Sequence, residues 1–497
     1  MLTARGMQQT IAKLKRFCDT LYARLFTPVG QAENQRLYQT TTPLHQIPDE
    51  SLFAPVGDMK RWGGEGMYGW FKAEYTVPAG LDGKALYLYP RTEAYEGTLW
   101  VNGGMHSNYA AKFVEGSHGN HYCNRITPAA KAGETFQFAL ECYAYHFMPG
   151  TQPLFDEAFK DYTYPIGAMD VCVRDDEYME FLFDLRTLLS LVDALPETAF
   201  RRAEVENALF KAHQVLFYDP DTCSQEAFRA GLRAASPILK EQLSRVNASD
   251  APWVGLIGHS HMDTAWLWPI SETEKKCART YANQLNLMEE YPEYKFVQSS
   301  AYHSDIIRRN NPDLFARIQK AVAEGRYEPN GGVWVECDCN LTGAEYMVRQ
   351  FLWGQRFTRK YFGYTSDCFW LPDTFGYSFA IPQIMKGCGV DYFLTTKMSW
   401  NDTNKFPYTS FYWQGMDGTK VLTHLNRIHA GPSPETLHEM TDGADAIRER
   451  HAAPMRLFSF GRGDGGGGPE FEMLEMARRL KDLNGVPRTG YQTHLHV

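Results

Sequence analysis

The sequence predicts a chain with an all-β part and an α/β part: a β-sandwich, a helical connector and then a domain of alternating strands and helices, either a parallel sheet or a barrel. Two observations predict this order. β-forming segments separated by turn signals fill residues 65–180, and from about residue 252 short apolar strands alternate with stretches of helical character. With 497 residues, the chain is long enough to form several domains with sizeable cores.

The β part is predicted from strand-like alternation and turn chemistry. The segments KALYLYP at 84–90 and ETFQFALECYAY at 134–145 are rich in residues that favour strands. Asn102-Gly103 is a hairpin signal. Several short strands in this stretch favour a β-sandwich over 65–180, preceded by a helical or irregular segment at 1–64.

The connector, residues 181–250, changes to helical spacing. Its apolar residues recur three or four positions apart: Val205, Leu209, Ala212 and Leu216. From 251 to 497, the alternation of strands and helices favours a parallel sheet or barrel with right-handed crossovers. Capping boxes are predicted at two helix starts, at Ser271 with Glu274 and at Thr342 with Glu345.

Polar side chains follow the predicted strands of this last part. His261 and Asp263 come after WVGLIG, Asp373 after CFWLP, Lys397 after DYFLTT and Asp464 after RLFSFG. In parallel sheets and barrels, the carboxyl ends of the strands meet on one face, where chemistry gathers. We therefore expect these side chains to form a common site.

Each candidate also has a simpler interpretation. Imidazole and carboxylate at 261 and 263 suit a zinc ion, but paired histidines of a loop can instead be satisfied by backbone groups. Asp373 sits where a helix N-cap is common. Asp464 precedes four glycines, as in a phosphate-binding loop, but the Lys-Ser/Thr of such a loop does not follow. The glycines are better explained as positions where the backbone approaches a ligand closely.

Four motifs carry a family resemblance. Within residues 250–470 the motifs occur in this order: GHSHMDTAWLWPISETEKKCART, VECDCNLTGAEYMVRQFLWGQRFTRKYFG, FWLPDTFGYSFAIPQIMKGCGVDYFLTTKMSWND and FSFGRGDGGGGP. Together they resemble the α-mannosidases of glycoside hydrolase family 38, with more similarity to the cytosolic and bacterial branch. The resemblance implies a seven-stranded β/α barrel, one divalent metal ion with Zn²⁺ the expected one, and retaining, exo-acting hydrolysis of terminal α-mannosides in oligosaccharides.

The resemblance also implies roles for individual residues. His261, Asp263 and Asp373 match metal ligands, and Asp373 also matches the catalytic nucleophile. Asp464 matches the general acid/base. Trp266 matches an aromatic residue that lines the sugar subsite, whereas Trp268 fits a core position equally well. Lys397 is a candidate contact for sugar hydroxyls or the nucleophile, with a surface salt bridge as the alternative.

One part of the family pattern is not found. The family has a fourth metal ligand, a histidine in a downstream segment, and the closing GYQTHLHV with His494 and His496 does not resemble that segment. We therefore expect a C-terminally truncated chain without the downstream domains and with weak activity, or a terminal histidine as the substitute ligand.

Composition limits the other partners. The formal net charge is −9 with no long run of one sign, which argues against nucleic acid and anionic membranes as partners. Ten scattered cysteines and the lack of an apolar signal segment favour a cytoplasmic protein, and a homo-oligomer stays open. The alternatives in function are a metal-dependent amidohydrolase or deacetylase, with His303, His424 and His429 as loosely suitable further ligands, and an inactive sugar-binding fragment.

Overall fold

The structure is a computed structural model that describes residues 4–109, 121–146, 161–404, 406–426, 448–449, 451–452 and 455–492. It has the mixed α/β composition that the sequence predicts, with antiparallel sheets in the first part and parallel strands in the last. No helix within these ranges is both long enough and apolar enough to cross a bilayer.

The first part of the chain consists of one helix followed by short strands. These elements are α1 (Ala4–Tyr22), β1 (Phe26–Gln31), β2 (Glu33–Thr40), β3 (Ala54–Pro55), β4 (Arg61–Gly63), β5 (Tyr68–Thr76), β6 (Leu86–Pro90), β7 (Glu96–Val101), β8 (Gly104–Tyr109), β9 (Asn124–Thr127), β10 (Thr135–Tyr143), β11 (Thr163–Pro165) and β12 (Met169–Arg174). Single 3₁₀ turns lie at Glu50–Leu52 and Ala79–Leu81.

These strands form two antiparallel sheets over one core. The smaller sheet has the order β1-β12-β6-β9 and the larger one β3-β2-β5-β10-β7-β8, while β4 pairs with β11. Leu88 and Val171 of the smaller sheet share a core with Trp70 and Leu140 of the larger one. Apolar side chains of both sheets are thereby removed from water, which is the main source of stability for such packing.

The boundary of the β part differs from the prediction. Its strands begin at Phe26, inside the segment 1–64 that was expected to be helical or irregular. The sequences FTPVGQ and ENQRLYQT of β1 and β2 lack a regular alternation of apolar and polar residues, so only pairing with distant strands identifies them. The hairpin at Asn102-Gly103 is confirmed: it joins β7 to β8, with φ of 50° and 80° at the two residues.

Three helices follow the sheets, namely α2 (Asp176–Ala194), α3 (Phe200–His213) and α4 (Gln225–Leu243). Asp175 caps α2 by accepting from the amide of Tyr178, and Ser224 caps α4 by accepting from the amide of Ala227. Helix α1 packs into the same apolar core through Leu14 and Phe17. The start of the chain therefore completes the helical layer.

The last part alternates strands and helices. Its elements are β13 (Trp253–Gly258), α5 (Ile270–Glu290), β14 (Phe296–Gln298), α6 (Ala301–Asn310), α7 (Pro312–Ala323), β15 (Tyr327–Pro329), α8 (Ala344–Phe362), β16 (Cys368–Leu371), α9 (Ile381–Gly387), β17 (Tyr392–Thr395), a 3₁₀ turn (Lys397–Trp400), β18 (Ser410–Gln414), β19 (Lys420–Leu425), β20 (Met455–Phe460), α10 (Phe471–Leu480) and β21 (Arg488–Tyr491).

The strands of this part form two sheets. In the first sheet the order β15-β14-β13-β20 is parallel throughout, and β21 also pairs with β13. In the second sheet β16, β17 and β19 are parallel, and β18 joins β19 as an antiparallel hairpin. A parallel bridge between Gly331 and Phe369 connects the two sheets. The carboxyl ends of the parallel strands thus face one side.

Both predicted capping boxes are wrong. Helix α5 has Pro269 at its N-cap and α8 has Gly343, and neither makes a side-chain capping bond. Ser271 lies inside the first turn of α5, because the helix begins two residues earlier than the motif suggests. Motif spacing alone did not fix the helix start.

Candidate active site

His261 is the centre of a cluster of acidic side chains beyond the end of β13. Its side chain is 1% exposed. Nε2 lies 3.6 Å from Oε2 of Glu336 and 3.9 Å from Oδ2 of Asp373, and Nδ1 lies 3.5 Å from Oδ1 of Asp464. The imidazole therefore faces carboxylates that follow three other strands of the parallel sheets.

Three of these side chains form a group suited to a metal ion. One ligand atom each from His261, Asp263 and Asp373 lies within 4.8 Å of the others. Imidazole nitrogen and carboxylate oxygen are donors that zinc accepts, and three protein ligands leave room for a substrate group. Among the described residues, no other group of at least three His, Cys, Asp or Glu meets this test.

The charges around His261 support the same interpretation. Burial opposes protonation of His261, but the Glu336 carboxylate and a hydrogen bond with Asp464 outweigh it and raise the pKa of the imidazole well above its usual range. Burial raises the pKa of Asp263 to about 6, and the carboxylates of Glu336, Asp464 and Asp373 add to the shift against the opposing effect of His261. The carboxylates around His261 therefore carry more negative charge than the imidazole balances, because a histidine that binds a metal is neutral.

Lys397 forms an ion pair with Asp373. Its Nζ lies 2.6 Å from Oδ1 of Asp373, and the lysine side chain is only 2% exposed. The ammonium group also lies 3.4 Å from the centre of the Trp400 ring and 4.8 Å from that of Phe375. This is a buried contact inside the cluster, so the surface salt bridge considered from the sequence is wrong.

Asp464 is held in an unusual backbone conformation. Its φ is 52°, in the left-handed region, and Gly465 continues with φ of 75°. Arg462 and Gly468 exchange two backbone hydrogen bonds of 3.0 Å, which close the loop around Asp464. The amide of Gly465 donates to the carbonyl of His261 at 3.3 Å. The glycines next to Asp464 thus serve a tight turn that presents the carboxylate to His261.

Glu336 is a member of the cluster that the sequence analysis did not single out. Ser299 donates to its Oε1 at 3.0 Å. Burial opposes ionisation of Glu336, but the interaction with His261 is stronger and lowers the pKa of the carboxyl group. Glu336 lies seven residues beyond the end of β15 at Pro329, so it does not directly follow a strand. Its place in VECDCN, one of the four motifs, was the available signal.

The two tryptophans after β13 have different environments. Trp266 is 51% exposed, whereas Trp268 is buried and donates from Nε1 to Thr273 Oγ1 at 3.0 Å. Their rings meet edge to face with centroids 5.7 Å apart. Phe375 and Trp400 are also exposed, and their rings are 5.6 Å apart. Trp266 is available to a ligand, while Trp268 supports it from the core.

The remaining histidines named from the sequence do not join this group of ligand atoms. His303 bonds with Thr264 and Gln298, both at 3.1 Å, and burial lowers its pKa to about 4. His424 bonds with Ser410 at 2.9 Å. His259, directly after β13, bonds with the carbonyl of Val297. Candidates outside the described residues are His429, His494 and His496.

Comparison with known proteins identifies the family of the domain that contains this cluster. Residues 252–496 match the description "Glycosyl hydrolases family 38 N-terminal domain". This part of the chain belongs to glycosyl hydrolase family 38. The family 38 domain contains every side chain of the cluster, from His261 to Asp464.

Curated relatives extend the similarity to the first part of the chain. The chain is 32% identical to "Alpha-mannosidase G" of Dictyostelium discoideum over 431 residues, which is 85% of this chain and 38% of the relative. It is 34% identical to "Alpha-mannosidase 2C1" of Homo sapiens over 423 residues, 84% of this chain and 39% of the relative. "Alpha-mannosidase" of Saccharomyces cerevisiae is 42% identical over 235 residues, 46% of this chain and 21% of the relative. The chain thus spans less than half the length of these relatives.

Proposed function

We propose that this chain carries the catalytic site of a metal-dependent, retaining α-mannosidase that removes terminal α-mannosides from oligosaccharides. One observation supports this proposal above the others: two carboxylates, Asp373 and Asp464, meet the same imidazole from its two nitrogens inside a family 38 domain. A retaining glycosidase needs such a pair, one carboxylate as nucleophile and the other as acid/base.

The residues present fit one divalent ion. His261, Asp263 and Asp373 would hold it, and the mixed nitrogen and oxygen donors favour Zn²⁺. When bound, the ion supplies positive charge that orients sugar hydroxyls.

In the proposed reaction Asp373 acts first. Its carboxylate attacks the anomeric carbon and forms a glycosyl ester, while Asp464 gives its proton to the departing glycosidic oxygen. Asp464 then takes a proton from water, whose oxygen attacks the same carbon and releases the Asp373 carboxylate. Lys397, paired with Oδ1 of Asp373, orients this carboxylate for attack.

Exposed aromatic rings suit the proposed substrate. Trp266 follows Asp263 by three residues and is half exposed, so its flat face can pack on the C–H groups of a sugar ring. Lys397 lies close enough to Asp373 to meet a sugar hydroxyl on the same side. We assign the terminal mannose to the space between these residues.

We extend the proposal to the architecture. The parallel strands β20, β13, β14, β15, β16, β17 and β19 supply the seven strands of the proposed barrel, and the two antiparallel sheets form the proposed sandwich. The Gly331–Phe369 bridge supports one junction between the parallel sheets. A side-chain bond from Asn426 to Ser459 of 2.5 Å supports the other. All ten cysteines are free thiols, which fits the proposed cytoplasmic location.

The test combines metal analysis with an aryl α-mannoside assay on the purified protein. We expect about one zinc per chain, loss of the metal in His261→Ala and Asp263→Ala, and retention in His213→Ala, a control on α3 far from the cluster in sequence. Hydrolysis of the α-mannoside but not of an aryl α-glucoside supports the substrate assignment. Full metal content in both cluster variants contradicts the metal site, and sugar binding without turnover would identify a binding fragment instead.

A further inference from the structure

The loop that carries Asp464 is covered by the N-terminal sheets. We call residues 461–469 the Asp464 loop. Its Gly467 has φ of 93°, and a Cβ at this position would lie 2.7 Å from Nε2 of His121 and would also meet Nδ2 of Asn108. Asn108 is on β8, His121 precedes β9, and both are buried. Residues from the first part of the chain thus reach the loop of the proposed acid/base.

Helix α5 holds the other side of the same glycine. Gln284 donates from Nε2 to the carbonyl of Gly467 at 2.6 Å and to that of Pro469 at 3.2 Å. The Gln284 side chain is itself fixed, because Tyr294 donates to its Oε1 at 2.6 Å. Gly467 therefore lies between a helix of the family 38 domain and two side chains of the N-terminal sheets.

The protonation state of His121 determines which of its ring nitrogens carries a hydrogen toward the Asp464 loop. Asn283 is a donor through Nδ2, which lies 3.2 Å from Nδ1 of His121, so Nδ1 accepts. Burial lowers the pKa of His121, which leaves the ring neutral. The single ring proton is then on Nε2, the atom that faces Gly467, and the imidazole also interacts with the backbone of Gly466.

We propose that His121 and Asn108 are positioning residues for Asp464, acting through the backbone of Gly466 and Gly467. This inference rests on the proposed function, because it concerns the acid/base of that reaction. Asp464 has a left-handed backbone conformation that non-glycine residues adopt only at a free-energy penalty. Contacts on both sides of the loop tip maintain this conformation, and they direct the carboxyl group at the glycosidic oxygen. The N-terminal sheets are thus part of the catalytic apparatus.

The first readout is amide hydrogen exchange and does not require activity. In His121→Ala we expect the peptide covering 461–469 to exchange about tenfold or more faster, with the peptide around His261 unchanged. The matched control is His106→Ala, since His106 is a half-buried histidine of β8 that bonds with the Arg125 carbonyl at 2.8 Å. His106→Ala should leave the loop peptide unchanged. Unchanged exchange of this peptide in both His121→Ala and Asn108→Ala would overturn the inference, even if the protein proves not to be a mannosidase.

The second readout separates positioning of an acid from general damage. A misplaced acid slows cleavage of a poor leaving group more than that of a good one, because only the former needs protonation. For His121→Ala we expect kcat/KM to fall about tenfold or more with phenyl α-mannoside and less than about twofold with 2,4-dinitrophenyl α-mannoside. His121→Gln, which restores an N–H near the Nε2 position, should recover most of the loss. Equal losses on both substrates would contradict the inference, whereas an inactive wild type would contradict the proposed function.

A glycine pair gives a further matched comparison. Gly467→Ala introduces the Cβ that meets Asn108 and His121, and should reproduce the selective loss on the poor leaving group. Gly418→Ala creates nearly the same backbone strain, with φ of 88°, but its Cβ would meet nothing within 4 Å. If Gly418→Ala matched Gly467→Ala in the ratio of the two substrates, strain and not the contact with the N-terminal sheets would explain the effect.

Discussion

Two clusters of charged residues in this protein differ in their balance of positive and negative charge. The interface cluster lies between the N-terminal sheets and α5, and consists of Glu96, Glu141, Glu272, Lys275, Lys276 and Arg279. The site cluster consists of His261, Asp263, Glu336, Asp373, Lys397 and Asp464.

In the interface cluster every charge has an opposite partner. Lys275 pairs with Glu141 at 2.5 Å and Lys276 with Glu96 at 2.6 Å, while Arg279 contacts both Glu96 and Glu272. Three cations thus face three carboxylates in a region almost closed to water. Such pairs hold a defined geometry, and loss of one partner leaves a buried charge uncompensated.

In the site cluster the carboxylates outnumber the cations. Among the described members, four carboxylates face one lysine and one imidazole. The excess remains even with His261 protonated, and it raises the pKa of Asp263. Equal numbers of positive and negative side chains are typical of a structural interface. An excess of charge of one sign is instead typical of a site that binds an ion or transfers a proton.

The largest expected effect separates the two carboxylates of the proposed reaction. Asp373→Ala should lower kcat/KM for an activated aryl α-mannoside on the order of 10⁴-fold, because no nucleophile remains. Asp464→Ala should lower the same kcat/KM less than about tenfold, since a good leaving group needs little protonation. Circular dichroism should show both variants folded. Equal losses with the activated substrate would contradict the assigned roles.

The next effect concerns the interface cluster and is one of stability. Glu96→Gln leaves Lys276 and Arg279 without their shared carboxylate, and should lower the free energy of unfolding by about 3–5 kcal/mol. Urea unfolding followed by fluorescence measures the change. The control is Glu180→Gln, which removes the partner of Lys240 in an exposed pair and should change the free energy by less than about 1 kcal/mol. Similar values for the two variants would show that the interface pairs are not a structural requirement.

The smallest effect has the opposite sign. In the metal-free protein, Asp263→Asn should stabilise the fold by roughly 2–3 kcal/mol at pH 8, since the folded-state pKa of Asp263 is raised to about 6. A carboxyl group with a raised pKa disfavours folding once it ionises, so the gain should appear as pH rises through the interval from about 4 to 6 and then level off. Unfolding with a chelator present, at pH 4 and pH 8, measures it. A gain that is equal at both pH values would contradict the assignment to ionisation.

The sequence predicted the placement of the site better than its membership. The five side chains expected at a common site do lie together, because each follows a strand whose apolar run is visible in the sequence: His261, Asp263, Asp373, Lys397 and Asp464. Their catalytic roles stay proposals. Glu336 was missed because an irregular segment separates it from β15, and only the three-dimensional path of that segment returns it to His261.

The strands that the sequence did not reveal share one property. β15 has the sequence YEP, with Glu328 buried in its middle, so it has no apolar run. Glu328 accepts hydrogen bonds from the nearby Asn330 and from Tyr364, which lies beyond α8 in the chain. β1 and β2 also lack a strand-like sequence pattern, and they are held in place by hydrogen bonding to β12 and β5, respectively. Local patterns cannot show structure whose stabilising partners are distant in the chain.

The contact between Gly467 and the N-terminal sheets also has a consequence for folding kinetics. It joins Gly467 to residues of the first part of the chain, Asn108 and His121, so its formation requires closure of a very long loop, and contacts of such high sequence separation form slowly. The segment around Gly467 cannot reach its final geometry before β8 has docked on α5. Catalytic competence would therefore be among the last properties that the newly made chain acquires, after its helices and sheets have formed.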